Sequence, residues 1–377
     1  LFDPEDVHDG MTKMGVILGD NPITKWKTSL LFSYQNPVLE QEILGIKFKN
    51  PIGLAAGFDK DARLTQILPS IGFGFAEVGS ITGQRCEGNP KPRLWRLPDQ
   101  KSLVVYYGLK NEGCEAISSR LSKLKFEFPI GISVAKTNCA ATAERAAGIA
   151  DYVKAYKTML PVGDYTTINI SCPNAFGGLP FTTPESLDEL LTAIDNVEAG
   201  PATPSSRPTS LLSLRALDGT PSVRATRTSG KPIFLKLPPD LTMNELDGLL
   251  EVASKHMICG YICSNLTKNR NNPKLAGAKI PEKGGLSGKV VEDLANAQIA
   301  HVYRRTGGKS VIVGLGGVFS AADAYKKIRL GANLIQLITG MIFEGPQLIG
   351  QINQGLVELL KKDGFTSISQ AVGKGVS

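Results

Sequence analysis

The sequence is short of several things, and each shortage argues against a class of function. No apolar run approaches the ~18–20 residues that a membrane-spanning helix needs, so the chain as given does not cross a bilayer. Aromatic residues are only 7% of the 377 positions, and no run of Lys and Arg is interleaved with them. That argues against a stacking platform for single-stranded nucleic acid. The six cysteines (Cys86, Cys114, Cys139, Cys172, Cys259 and Cys263) form no CxxC pair. Their number and spacing fit free thiols in a reducing compartment better than a disulfide frame or a zinc site. The three histidines, His8, His256 and His301, are too scattered for a His-rich metal site.

What the chain does have is core material. Hydrophobic residues are 42% and charged residues 20%, which suits a folded protein with a large core. The net charge of +7 leaves an anionic ligand or an anionic surface open as partners. The first residue is Leu1, not Met, so a targeting or anchoring segment upstream is expected to be missing.

Residues 1–36 read as two short amphipathic helices. Val7, Met11, Met14 and Leu18 recur at helical spacing, as do Ile23, Trp26 and Leu30. Asp3-Pro4 and Asn21-Pro22 each supply an N-cap followed by a first-turn proline. The pair either packs on the main domain or offers an apolar face to a membrane or a lipophilic ligand. With three lysines against five acids in this segment, a membrane attraction would be apolar rather than electrostatic.

From residue 50 onward, eight apolar runs alternate with helical patterns: 52–55, 75–80, 130–135, 166–171, 233–237, 260–264, 311–314 and 334–338. Near-continuous apolar runs are what buried parallel strands look like. Eight β-then-α units predict a closed (β/α)8 TIM barrel over 37–377, with a doubly wound open sheet as the competing architecture. The stretch 198–230, rich in Pro, Ser, Thr, Gly and Arg, reads as a flexible insertion without a role.

In such a barrel the C-terminal strand ends carry the chemistry. Gly314-Leu315-Gly316-Gly317 and Thr339-Gly340 end the last two runs, where bare backbone N–H groups commonly hold a phosphate. Lys236 lies inside an apolar strand, where an unpaired ammonium is costly to bury. A flavin, anionic when reduced, would face it well. Cys172 follows a strand between Asn169 and Asn174. A thiol there can serve as nucleophile or general base, and the two amides suit a ring with several carbonyl and N–H groups, such as a pyrimidine.

The motifs GLAAGFDKDA (53–62), GNPKPRLWRLP (88–98), NISCPN (169–174), LKLPPDL (235–241), SNLT (264–267), GGLSG (284–288), VGLGG (313–317) and TGMIFEGP (339–346) together resemble the dihydroorotate dehydrogenase family. The resemblance spans almost the whole chain outside 198–230. It implies an FMN-binding barrel that oxidises dihydroorotate to orotate in pyrimidine synthesis. The N-terminal helices and DPEDVH (3–8) are similar to the membrane-associated class that uses a quinone, in which the helices form an apolar tunnel to the flavin. That class sits on the inner mitochondrial membrane or on the cytoplasmic face of a bacterial membrane. Carried over residue by residue, flavin contacts fall on Ala56, Gly57, Lys60, Ser80, Asn169, Lys236, Ser264, Gly288, Gly316, Gly317, Thr339 and Gly340. Substrate contacts fall on Lys60, Asn169, Asn174, Asn265 and Thr267, and the quinone lies near His8 and Arg96. Cys172 is expected to take the proton from C5 as hydride leaves C6 for the flavin. Cysteine at 172 is the habit of the soluble class, which uses fumarate or NAD. Val105 and Ser133 stand where the pattern has amides, and Ile338 where it has tyrosine. A soluble acceptor, a relative that binds flavin without turnover, and a flavin-free barrel binding a phosphorylated metabolite therefore stay open at this stage.

Overall fold

The computed structural model describes residues 3–199, 229–256 and 258–376. The expected flexibility of 198–230 falls almost wholly outside the described residues. Thirteen strands occur among them: β1 (Gln41–Ile43), β2 (Ile46–Phe48), β3 (Ile52–Leu54), β4 (Phe75–Ile81), β5 (Leu94–Leu97), β6 (Ser102–Val105), β7 (Ile130–Val134), β8 (Tyr165–Asn169), β9 (Ile233–Leu237), β10 (Gly260–Cys263), β11 (Gly285–Gly288), β12 (Val311–Leu315) and β13 (Leu334–Leu337). Eight of them, β3, β4, β7, β8, β9, β10, β12 and β13, are the eight expected apolar runs. They pair in parallel, in chain order, into a closed barrel.

Strand periodicity explains how the tube is filled. Alternate residues point inward, so residues at equivalent heights stack as layers. Phe75, Tyr165, Phe234 and Leu334 fill the lower part of the tube and belong to one apolar cluster. Gly131 leaves room for it, because a Cβ there would stand 2.1 Å from the Tyr165 ring. The β1–β2 hairpin closes this end, with Phe48 edge-on to Phe75 at 5.4 Å between ring centres. Two residues further along the same four strands stand Glu77, Thr167, Lys236 and Gln336, all buried; the ladder sets Thr167 opposite Phe234 and Asn169 opposite Lys236. The residues above them face the open C-terminal end.

Two additions sit at that open end. β5, β6 and β11 make an antiparallel sheet whose Leu94, Leu103 and Val105 face the mouth. The helices α1 (Pro4–Gly19) and α2 (Pro22–Phe32) begin as the sequence predicts, with Asp3 and Asn21 side chains accepting from the N–H groups of Glu5 and Ile23, each at 2.8 Å. A buried ion pair fastens α1: Glu5, 2% exposed, accepts from Arg93 Nη2 at 2.7 Å and Nε at 3.2 Å. The other face of the helix pair leaves Met11, Met14, Ile17, Trp26, Leu30 and Leu31 exposed. Among the described residues no helix is long and apolar enough to cross a membrane.

Candidate active site

A cavity of about 1240 Å³, counting its open mouth, lies at the C-terminal strand ends beneath α1. Its deepest charge is Lys236, 2% exposed. Among the described residues its ammonium has no hydrogen-bond acceptor or ion-pair partner, while the side chain opens into the cavity. Burial lowers its pKa, and the nearby Glu77 carboxylate opposes the shift. Glu77 is in turn raised by burial and steadied by Lys236, and its Oε2 accepts from Thr167 at 2.9 Å and Gln336 at 3.2 Å. Among the described residues the cation therefore has a counter-charge close enough to act on it but none in direct contact.

One wall is a relay of hydroxyls and amides. Ser133 Oγ lies 2.8 Å from Ser80 Oγ, and Asn169 Nδ2 donates to Ser80 Oγ at 2.7 Å. Ser171 Oγ donates to Asn169 Oδ1 at 2.7 Å, and Asn265 Nδ2 donates to Ser171 Oγ at 2.8 Å. Tyr152 OH donates to the Asn169 carbonyl at 2.7 Å. Each partner fixes the next, so the Asn169 amide has a set orientation with one N–H left over. Cys172, half-buried, closes the upper edge. Burial pushes its thiol pKa up, while the Asn174 N–H, Lys236 and Lys268 pull it back.

Across the mouth, Lys60 Nζ stands 4.1 Å from the centre of the Tyr107 ring. Burial brings Lys60 down to about 8, with Lys110 acting in the same direction and Asp9 against it. His8 reaches over from α1, its Nε2 3.0 Å from the Phe58 carbonyl oxygen, which requires the proton on Nε2. Burial, then Lys60, lowers its pKa and favours the neutral ring. At the far end, the turns after β12 and β13 close tightly. A Cβ on Gly340 would lie 2.1 Å from the Val318 carbonyl oxygen, so the turn packs too tightly for a side chain, and Gly340 is among the residues that line the cavity.

A buried cation, a thiol, oriented amides and glycine turns share one barrel mouth, and comparison with known proteins fits this inventory. The family model for dihydroorotate dehydrogenase matches residues 38–360. The chain belongs to the dihydroorotate dehydrogenase family. A dihydroorotate dehydrogenase (quinone) of Acidithiobacillus ferrooxidans is 37% identical over 99% of this chain and 96% of its own length. One from Synechococcus is 34% identical over 94% of this chain and 89% of its own. Among solved structures, the DHODH of Eimeria tenella in complex with ferulenol superposes with a TM-score of 0.82 at 28% identity, covering 99% of this chain and 95% of that one.

The family's expected positions mostly converge. Ala56, Gly57, Lys60, Ser80, Asn169 and Lys236 line the cavity on one side, and Gly288, Gly316, Gly317, Thr339 and Gly340 on the other. Cys172, Asn174, Asn265 and His8 line it too. Three expected contacts do not. Ser264 is fully buried, its N–H tied to the Leu315 carbonyl at 3.2 Å. Thr267 is also fully buried, lies outside the cavity lining and donates its hydroxyl to Asp240, which ties two loops together. Arg96 shares a strand face with Leu94 but stands two residues further along β5, away from the cavity lining. The arginine that joins strand to helix is Arg93. Sequence reasoning missed Tyr107, the Glu5–Arg93 pair, and an amide pair in which Asn138 Nδ2 donates to Asn89 Oδ1 at 3.0 Å. Acidic Glu5 in the first turn of an apolar helix was the one available hint.

Proposed function

We propose that this chain oxidises dihydroorotate to orotate on an FMN held at the barrel mouth, and passes the electrons to a quinone arriving beside α1 and α2. FMN fits the residues present. Lys236 offers an ammonium with no direct partner among the described residues, Asn169 a spare N–H, and Gly316, Gly317 and Gly340 bare backbone for a phosphate. When bound, FMN supplies the acceptor for the hydride that leaves C6 of the substrate. The chain's own residues do the rest. Asn169, Asn174, Asn265 and Lys60 hold the ring and its carboxylate, and the Cys172 thiolate takes the proton from C5. Substrate thus loses one hydride and one proton, and the ring gains a double bond.

The exposed apolar side chains of α1 and α2 support peripheral docking on a membrane, with His8 between that face and the cavity. The relatives whose names include quinone support the same acceptor here. The observation that carries the reading is the one cavity lined by both the buried Lys236 ammonium and the Cys172 thiol. Cys172→Ala should keep bound FMN yet slow flavin reduction by dihydroorotate about 10²–10⁴-fold, the scale of one general base. Reduction at the parent rate would remove Cys172 from that role.

A further inference from the structure

Lys268 lies outside the cavity lining, on the loop after β10, yet its Nζ donates to Asn174 Oδ1 at 3.2 Å. Its backbone is pinned: the Lys268 N–H donates to Asp240 at 2.8 Å, and Thr267 beside it donates to the same carboxylate. On the other side of the amide, Asn174 Nδ2 donates to the Val105 carbonyl at 2.7 Å. The Asn174 main-chain carbonyl, separately, accepts from Asn89 Nδ2 at 3.0 Å. An ammonium can only donate and a carbonyl can only accept, so these two neighbours allow the Asn174 amide one orientation. That orientation uses one N–H on Val105 and leaves the second for the cavity that Asn174 lines. Val105, on the same wall, offers only an apolar side chain and a carbonyl already occupied by Asn174. The Asn174 N–H is therefore the donor this wall presents, and a cation on its oxygen polarises it further.

We propose that Lys268 is a positioning residue for substrate: it locks the Asn174 amide with an N–H turned to the pyrimidine ring and strengthens that donor. The proposal rests on the reading of this cavity as the dihydroorotate site. It predicts a cation-dependent hold on the ring without direct contact between Lys268 and substrate.

The test uses the FMN-loaded enzyme and its Lys268→Met and Lys268→Arg variants. Orotate is titrated while the flavin absorbance is followed. Lys268→Met should bind orotate about tenfold more weakly, the scale of one charged hydrogen bond, with parent FMN content. Its KM for dihydroorotate should rise in parallel, while kcat on the alkaline plateau stays at the parent value. Lys268→Arg, which keeps a cationic donor, should stay within about threefold of the parent. Parent-like orotate binding in Lys268→Met, or an equal loss in Lys268→Arg, would overturn the proposal while leaving the function standing. A parent enzyme whose flavin responds to neither orotate nor dihydroorotate would overturn both.

Discussion

On the barrel side of the cavity, Ser133, Ser80, Asn169, Ser171 and Asn265 pass hydrogen bonds from one to the next. On the helix side, α1 and α2 turn Met11, Ile17, Trp26, Leu30 and Leu31 to solvent. The first region works by orientation: each group fixes its neighbour, and one altered atom disturbs the relay. The second works by apolar area, which is non-directional and tolerant of exchange. The contrast matches two tasks, positioning a polar ring for hydride loss and receiving a greasy acceptor whose ring alone must be placed.

The comparison can be broken most severely on the polar side. Lys236→Met keeps the volume but removes an ammonium that has no hydrogen-bond or ion-pair partner among the described residues. FMN binding should weaken about 10²-fold, measured as flavin retained through gel filtration. Retention at parent level would mean the cation serves Glu77 alone. Next comes the joint between the regions. Glu5→Gln leaves Arg93 buried without its charge partner, and should lower stability by about 3 kcal/mol. Thermal unfolding would show this, and quinone turnover should suffer more than flavin reduction. An unchanged Tm would show that the pair does not hold α1, even though Lys91 and Lys110, each 3.7 Å from Glu5, lose the same carboxylate in this variant.

On the apolar side the effects are smaller and separable. Leu30→Glu with Leu31→Glu should cut vesicle binding about tenfold and leave dihydroorotate-driven flavin reduction untouched. A parallel loss of flavin reduction would erase the division between the two regions. The smallest effect is a displaced pH limb. Cys172 must lose its own proton before taking one, and burial raises its pKa more than the Asn174 N–H, Lys236 and Lys268 lower it. Flavin reduction should therefore rise with pH and reach its midpoint above the ordinary thiol value. A midpoint below that value would mean that the two ammoniums outweigh burial.

The barrel was legible because buried parallel strands leave long apolar runs, and the inward period of two put Lys236 in the tube. Gln336 and Thr167, which donate to the Glu77 carboxylate, stayed invisible, since a polar residue in an apolar run does not announce a partner on another strand. β5, β6 and β11 are only four residues each, too short for a clear period. The Glu5–Arg93 pair spans 88 positions, a separation that no local pattern reports. The bond from Thr267 to Asp240 was hidden for a related reason: the acceptor comes from a different loop. Motif residues on strand ends reached the cavity, whereas Arg96 and Ser264 depended on depth along a strand.

The most direct measurement is an anaerobic titration of the FMN-loaded enzyme with dihydroorotate, followed by addition of a quinone. The cavity as described predicts that the flavin absorbance bleaches with about one equivalent of substrate and returns on quinone addition. Absorbance that persists through excess dihydroorotate would contradict the assignment of Cys172, Lys236 and the amide wall to this reaction.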